Sequence, residues 1–382
     1  MAVKSSGPLS FSEIQAELGG SNPISLSEYY KNGSIINNDI HDPNGIPNSG
    51  NPITVNDFYS CSRRQFAQWS GGNQSDPNGT ASGNFKTHVF TNSGSFNRSV
   101  APIGTNRDEL HYIVIGGGGG GGTVTGGGGG AGDFMSGHIH TGNRTSYYMR
   151  IGGGGGPANY SGPGVRAPTG QTNRGTRSAI HKNSSANSSR FVTGIGGGGG
   201  MNYTFHNSSS ADSFFANGGS GGGGSGIVDG QRGFKKGGGS GHDGGNGAER
   251  ESTLCGGGGG GAGGAGMAGV GTANSNGSFN NPGTNASRGG IGIDISGFPG
   301  ANGYRAGGGT GGGLRSNATR TPFSGGGGSG GPGPGIASTP GGNGGASKGA
   351  GGGGGGYNGN GVGGLGGNGG KGIIAVKYQY KS

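Results

Sequence analysis

Apolar side chains are scarce in this sequence, and charged side chains are scarcer still. Of its 382 residues, 26% are hydrophobic and 11% are charged. The first figure is too low for a large side-chain core, and the second is too low for a highly charged disordered coil. Something other than side-chain burial must therefore hold the chain together.

Cysteine and proline are too few for the frameworks that small secreted or fibrous proteins use. The two cysteines, Cys61 and Cys255, lie far apart and give neither a disulfide framework nor metal-ligand spacing. Collagen requires glycine at every third position and abundant proline, whereas this chain has 16 prolines and no strict triplet. We expect two free thiols and no collagen-like helix.

Long apolar runs are missing as well. The sequence contains no segment of 18 apolar residues, so we expect no membrane-spanning helix. Its N-terminal stretch does not combine a basic start with a short apolar run, so we also expect no standard secretion signal.

Positive charge is in excess but is not concentrated. The formal net charge of +10 permits attraction to anionic partners such as lipopolysaccharide, acidic glycans or nucleic acid. Lys and Arg are scattered, with Arg63-Arg64 and Lys235-Lys236 as the only adjacent pairs. Because a nucleic-acid interface clusters its charge on one surface, we expect no nucleic-acid partner.

Residues 1–66 differ in composition from the rest and carry helix-start signals. Ser10 precedes an apolar-periodic run with Glu13 three residues on, and Ser25 and Thr54 begin similar short segments. These pieces are too small to be stable alone, so we expect them to dock on a partner as an attachment segment. The apolar and aromatic candidates for that contact are Phe11, Ile14, Leu18, Leu26, Tyr29 and Tyr30.

Three segments predict β-strands. Residues 86–91, 110–115 and 372–380 are β-branched and aromatic runs, the first two bounded by Gly, Asn and Ser. The last run alternates between a more apolar and a more polar face. We expect it to return and pair with 110–115, so that a frame made from 67–115 and 373–382 clamps the ends of the region between.

That region, 116–372, is dominated by glycine, which fills 111 positions of the chain. A flexible linker is one interpretation, but a linker gives no reason to separate pure tracts with aromatic, Met, Ile and Arg segments. Polyglycine can instead form polyproline II-type helices that have no internal hydrogen bonds and bond to one another. The pure tracts are 116–122, 126–130, 152–156, 196–200, 221–224, 256–261, 325–328 and 351–356.

The segments between tracts carry the large side chains and are the candidate binding loops. Aromatic rings beside Asn, Ser and Arg suit stacking on sugars while hydrogen-bonding their hydroxyl groups. The alternative is that these rings cap the bundle ends or form small satellite cores. The candidate receptor-binding residues are Tyr147, Tyr148, Arg150, Tyr203, Phe205, Phe214, Phe215, Phe298, Tyr304 and Arg305.

Two resemblances connect these features to known families. The segments 87–96, 110–119 and 369–378 together resemble the frame of a glycine-rich domain found in many phage and bacterial surface proteins. Residues 7–30 are similar to a leader shared by phage virion proteins, including those of cyanophages. The glycine tracts also resemble those of the tip adhesins of T-even-type phages, in which polyglycine helices present variable receptor-binding loops.

Enzymatic motifs are weak in this chain. Chance Gly-x-Gly-x-x-Gly windows are not followed by an amphipathic helix, and Lys371 lacks the Ser or Thr that a phosphate loop needs next. Glu249 and Glu251 could form the carboxylate pair of a glycan depolymerase on paper. His138 and His140 with Asp133, or His242 with Asp243, have metal-ligand chemistry, but two histidines alone do not make a metal site.

The sequence thus predicts a mainly β and irregular fold, in which a small strand frame encloses a bundle of packed polyglycine II helices and a short, partly helical N-terminal segment provides attachment. The resemblances imply a virion component of a tail or tail fibre that binds a host-surface glycan or outer-membrane protein and contacts other tail, fibre or baseplate proteins. We expect no catalysis, cofactor or metal. A structural connector, a depolymerase and a homotrimer remain open alternatives.

Overall fold

The computed structural model describes most of the chain. The described residues are 3–31, 33, 35–36, 40–42, 44–63, 66–72, 79–100, 109–158, 173–183, 185, 189–202, 217–226, 239–250, 253–269, 287–301, 303–313, 322–331, 339–357 and 363–380. Within them the protein is mostly β-sheet with little helix, as the sequence predicts. None of the helices in these residues is long and apolar enough to cross a membrane.

Within the described residues the helices lie near the N-terminus, and they begin where the sequence predicts. Helix α1 spans Phe11–Leu18, and two single-turn 3-10 helices span Leu26–Tyr29 and Val55–Phe58. Each starts with a capping box, in which the Ser or Thr before the helix and the acidic residue three positions later satisfy free backbone N–H groups.

Sixteen short strands account for the regular structure in the rest of the described residues. In chain order, β1 to β16 are Ile40–His41, Ser62–Arg63, Gln68–Ser70, Thr80–Ser82, Phe85–Phe90, Gly94–Val100, Glu109–Ile115, Phe134–His140, Ser146–Arg150, Ser178–His181, Arg190–Gly194, Ala248–Arg250, Thr253–Cys255, Ile293–Asp294, Tyr304–Arg305 and Ile373–Gln379.

The N-terminal segment has its own hydrophobic core, contrary to the expectation that its pieces need a partner to cover them. Ile14, Leu18 and Tyr29 are fully buried against Phe58 and Cys61. The Tyr29 and Phe58 rings meet edge to face, with centroids 5.5 Å apart. These three attachment candidates therefore stabilise the segment itself, because a buried side chain is not available to another protein.

Two five-stranded antiparallel sheets form the main core. The frame sheet has the order β4-β5-β16-β7-β8, and the second sheet has the order β11-β10-β9-β6-β3. In the frame sheet β16 lies between β5 and β7, with Ile373 opposite Ile115 and Lys377 opposite His111. The predicted pairing of the C-terminal strand with 110–115 is confirmed.

The two sheets pack face to face. Their inner faces share one cluster of buried side chains, to which the frame sheet contributes Phe90, Val114 and Ile374 and the second sheet contributes Trp69 and Tyr147 among others. Face-to-face packing leaves the other face of each sheet pointing away from the sandwich.

The outward face of the frame sheet is itself partly covered. Ile113, Ile115, Ile373 and Ala375 pack there against small apolar residues of the glycine-rich region, including Ala131. The centre of the sheet is therefore buried on both faces, which explains the uninterrupted apolar runs in β7 and β16. The predicted polar face of the C-terminal strand is present only at its end, where Lys377 and Gln379 lie.

Eight of the sixteen strands, β8 to β15, come from within 116–372, where the sequence predicts glycine tracts and loops between them. Strands β8 to β11 add to the two five-stranded sheets, and β9 contains the candidate binding residues Tyr147, Tyr148 and Arg150. The loop interpretation is wrong for these segments. Residues such as Tyr147-Tyr148-Met149 give no clear alternation of apolar and polar types, so their strand character depends on partners distant in sequence.

The glycine tracts carry no regular helix or strand assignment, yet they are buried and hydrogen-bonded. In the tract 116–122, backbone N–H groups donate in rotation to three neighbouring segments. Gly116, Gly119 and Gly122 donate to the segment 127–133, while the residues between them donate to 173–176 and 367–370. Every third residue therefore faces the same neighbour.

The carbonyl groups of residues 117–122 are satisfied in the same way by three further segments. They accept hydrogen bonds from N–H groups of 155–158, 197–200 and 352–355 at 2.8 to 3.2 Å. The tract 116–122 is thus surrounded by six segments of the same chain. Its buried backbone polar groups find partners without a sheet or an α-helix, as burial requires.

Candidate functional site

The candidate site lies on the outward face of the frame sheet, beyond the part that the glycine-rich region covers. There the strand residues change from apolar to polar and aromatic, and the side chains become accessible. We call this surface the outer shelf. It consists of Phe85, Glu109, His111, His138, His140, Phe298, Lys377 and Gln379.

One half of the outer shelf is a lysine held between two aromatic rings. Lys377 Nζ lies 5.0 Å from the centroid of the Phe298 ring and 5.4 Å from that of Phe85. It also donates a hydrogen bond to the Gly297 carbonyl oxygen at 2.9 Å. Cation–π contacts at accessible positions contribute about 0.5–1 kcal/mol each, enough to favour this placement of the ammonium group.

This arrangement suits a polar ligand with an apolar face. Phe85 is 38% exposed, so part of its ring is open to a partner. Its side chain stands on the same face of β5 and β16 as Lys377 and Gln379, since Gln379 lies directly opposite Phe85. A sugar ring could stack on the aromatic surface while the ammonium and amide groups bond to its hydroxyl or carboxylate groups.

The other half of the outer shelf is a group of imidazoles around one carboxylate. His111 lies opposite His138, and Glu109 lies opposite His140, on the paired strands β7 and β8. Glu109 Oε1 is 3.6 Å from His111 Nε2 and 3.9 Å from His138 Nδ1. The His138 and His140 rings are 5.5 Å apart. In the part of the chain that the structure describes, no group of three or more ligand-type side chains has converged on a metal position.

The sequence-derived candidates in the hairpin β14–β15 lie near this face. Phe298 is part of the outer shelf, and Tyr304 is 45% exposed on the same hairpin. Arg305 is half-buried, and burial lowers the pKa of its guanidinium group because desolvation disfavours the charged form. Tyr304 is thus the most accessible of the three, whereas Phe298 and Arg305 are partly buried.

Three other candidates belong to the second sheet. Tyr147 is fully buried in the sandwich core, with its ring centroid 5.7 Å from that of Trp69, so its assignment as a receptor contact is wrong. Tyr148 and Arg150 point to the opposite face of β9, away from the core. That face is on the far side of the sandwich from the outer shelf, so one small ligand cannot contact both.

Tyr203, Phe205, Phe214 and Phe215 lie outside the described residues. Of the acidic pair considered for glycan cleavage, Glu249 lies in β12, and Glu251 is outside the described residues as well.

In the N-terminal segment, Phe11 and Tyr30 keep some exposure for a partner. Phe11 is 41% exposed on α1, whereas Leu26 is partly buried against the N-terminal core. The Tyr30 hydroxyl donates to the Asn51 carbonyl oxygen at 2.9 Å. The accessible surface for an attachment contact is therefore smaller than the sequence suggests.

Sequence reasoning missed Phe85, Glu109, His111 and Lys377 as site residues. A signal for two of them was present, since Glu109 and His111 alternate with the apolar Leu110 and Tyr112 in a predicted strand. That alternation places both on one face. The sequence does not indicate that His138 and His140 would lie on the neighbouring strand.

Comparison with known proteins adds no family assignment. No protein-family model matches the chain, and no curated protein is significantly similar to it in sequence.

Proposed function

We propose that the chain is a non-enzymatic component of a bacteriophage tail fibre or tail tip that binds a receptor on the host-cell surface. The observation that carries this proposal is the buried network of hydrogen bonds between glycine tracts, which makes a rigid support out of a sequence poor in apolar residues. A rigid support that presents accessible aromatic and charged groups is what a receptor-binding fibre protein requires.

The support is a bundle of polyglycine II helices. A polyproline II-type helix has three residues per turn, so N–H groups three residues apart point in the same direction. The donors at Gly116, Gly119 and Gly122 follow this period, as do Gly127 and Gly130, which donate to Met201 and Gly198. Six neighbours around the tract 116–122 match hexagonal packing of such helices.

The outer shelf is the receptor-contacting surface, together with Tyr304 on the adjoining hairpin. Its Phe85 and Phe298 rings and the Lys377 ammonium group suit a host-surface glycan with acidic or hydroxyl substituents. The net charge of +10 favours approach to an anionic bacterial surface. The N-terminal segment, through Phe11 and its surroundings, attaches the protein to other tail or baseplate chains.

Competition with phage particles tests this function. Purified protein, added to host cells before the phage, is expected to reduce phage adsorption in a saturable manner. Phe298→Ala and Lys377→Ala should reduce that competition at least about 10-fold, the loss expected when a central contact worth about 1.4 kcal/mol is removed. Phe191→Ala is the matched control, because Phe191 is 44% exposed but lies on the second sheet.

The outcomes separate this proposal from its two alternatives. A structural connector would leave adsorption unchanged at saturating protein and would instead bind other purified tail proteins. A depolymerase would release fragments from host glycan over time. Equal competition by the wild type and by both shelf variants would remove the outer shelf from the proposal, whereas absence of any competition would remove receptor binding itself.

A further inference from the structure

Basic side chains form a line across the outer shelf. Lys377 lies directly opposite His111 on the neighbouring strand, and His111 lies directly opposite His138 on the strand after that. Opposite residues of antiparallel strands share a face, and neighbouring strands lie about 4.8 Å apart, so the line extends over about 10 Å. His140 lies beside it, with its ring centroid 5.5 Å from that of His138.

One carboxylate lies within this group of histidines. Glu109 Oε1 is 3.6 Å from His111 Nε2 and 3.9 Å from His138 Nδ1, and Glu109 lies directly opposite His140. These separations are longer than a normal hydrogen bond but short enough for an ion pair once an imidazole is charged. The His111 and His138 side chains are 47% and 59% accessible, so a ligand can reach both.

Few other charged groups of the described residues lie around the histidines. Glu109 faces them from β7 and Lys377 from β16, while the residues that β5 places on this face are uncharged. On the adjoining hairpin, Asp294 accepts hydrogen bonds from the Ser296 N–H and hydroxyl groups at 3.0 and 3.2 Å, and Arg305 is half-buried. One lysine, one glutamate and the three histidines therefore set the accessible charge here.

That charge depends on pH. Histidine ordinarily gains a positive charge between about pH 8 and pH 5, whereas glutamate and lysine ordinarily keep theirs over this range. At the upper end of the range the charges of Lys377 and Glu109 offset each other. At the lower end three imidazolium groups add to the lysine, so the outer shelf changes from an electrically balanced surface to a cationic one.

We infer that the outer shelf binds an anionic polysaccharide laid across its strands, and that the histidines tighten this binding as the pH falls. The inference rests on the receptor-binding proposal for the same surface. Lys377 and the charged histidines pair with acidic substituents, while the Phe85 and Phe298 rings stack on sugar rings. Phe85 on β5 and His138 on β8 are three strand spacings, or about 14 Å, apart. An extended polymer reaches both, whereas a single sugar does not.

Binding of the full-length protein to immobilised polygalacturonate, a linear polymer of uronic acid, tests the inference. At constant ionic strength of about 0.1 M, the affinity is expected to be at least about 10-fold higher at pH 5.5 than at pH 7.5, because each added cation attracts the bound anions. Immobilised dextran, an uncharged polysaccharide, is the matched ligand and should show no increase as the pH falls.

Shelf variants assign the pH dependence to these residues. The double variant His111→Gln/His138→Gln should bind at pH 5.5 nearly as weakly as the wild type does at pH 7.5, with an unchanged Tm. Glu109→Gln should bind more tightly than the wild type at pH 7.5, since the fixed negative charge is gone, and a misfolded variant would not show this gain. His242→Gln, which changes an exposed histidine elsewhere, should keep the full pH dependence.

Three results would each overturn the inference: equal wild-type affinity at the two pH values, full pH dependence in the double histidine variant, or no tighter binding by Glu109→Gln at pH 7.5. Receptor binding is judged separately by phage competition. Competition that still depends on Phe298 and Lys377 would leave the receptor-binding proposal standing while the anionic, pH-dependent ligand is rejected.

Discussion

The absence of a side chain at glycine lets backbone segments of this protein approach closely enough to form hydrogen bonds with one another. Gly119 donates its N–H group to the Gly130 carbonyl oxygen at 2.8 Å, and a Cβ atom at this position would meet the carbonyl oxygen of Gly198. The approach would be closer than 3.0 Å, a separation that real Cβ atoms almost never show. Because the opposing atoms are backbone, neither chain can move aside without breaking hydrogen bonds.

Replacing this glycine should therefore be costly. We expect Gly119→Ala to lower the free energy of unfolding by about 1–3 kcal/mol, the usual cost of overpacking a close-packed interior. Gly94→Ala is the control, since a Cβ atom at Gly94 would have no neighbour within 4 Å. Urea denaturation of both variants measures the difference, and equal stability would show that the tracts are not closely packed.

Glu13 shows how a single carboxylate supports the N-terminal segment. Lys4 Nζ donates to it at 2.8 Å, as does the Ser10 N–H group. These hydrogen bonds, that from Lys4 first, lower the pKa of Glu13 from 4.5 to about 2. A lowered pKa means that the native state binds this proton less readily than the unfolded state does.

The stabilisation from Glu13 should therefore be complete above about pH 4.5 and be lost as the pH falls towards about 2. An NMR titration of the Glu13 carboxylate should give the lowered midpoint, and Lys4→Ala should move that midpoint upward. Glu13→Gln should lose the charge-dependent stabilisation already at neutral pH. A midpoint at the ordinary value would contradict the observed contacts of this side chain.

Among the helices and strands, those with local sequence patterns can be predicted from the sequence, whereas strands that form by pairing with distant segments cannot. The capping boxes at Ser10, Ser25 and Thr54 are short-range patterns, and each marks a helix start in the structure. Strands 86–91 and 110–115 carry enough β-branched and aromatic residues to be recognised alone. Strands β9 and β10 form because Met149 and Ile180 meet across them, a contact that no local pattern encodes.

Contacts between distant segments also account for the incorrect predictions of site residues. Tyr147 and Tyr148 are adjacent and chemically alike, so no sequence pattern distinguishes the buried ring from the accessible one. In a strand their side chains point to opposite faces, and only the packing of the second sheet on the frame sheet decides which face is buried. The shelf residue Lys377 was recognisable as polar, but its aromatic neighbours come from β5 and from the β14–β15 hairpin.

Strand β16 is the central strand of the frame sheet, so its core residues should be the least tolerant of change. Val376 is buried between the sheets. We expect Val376→Asp to destabilise the protein by about 4 kcal/mol or more, since it buries an unpaired charge. Gln379→Asp at the exposed end of the strand should change stability by less than about 0.5 kcal/mol. Thermal denaturation compares the two, and similar Tm values would contradict the central position of β16.

For the whole molecule, the decisive question is whether the glycine tracts are as rigid as their hydrogen bonds indicate. Backbone N–H groups in 116–122 and 126–130 are buried and donate hydrogen bonds to other segments of the chain. Hydrogen exchange measured by mass spectrometry should therefore show these tracts protected to nearly the same degree as β7 and β16. Exchange as rapid as that of an unstructured glycine linker would exclude the packed arrangement.

Because β16 pairs with both β5 and β7, the frame sheet cannot finish folding until β16 has been synthesised. A ribosome delivers β16 after every other described element, so the middle position of the frame sheet stands empty throughout translation of the glycine-rich region. Two unpaired strand edges with apolar faces are open to aggregation during that interval. Efficient production of this protein therefore depends on protecting the nascent chain until β16 has emerged.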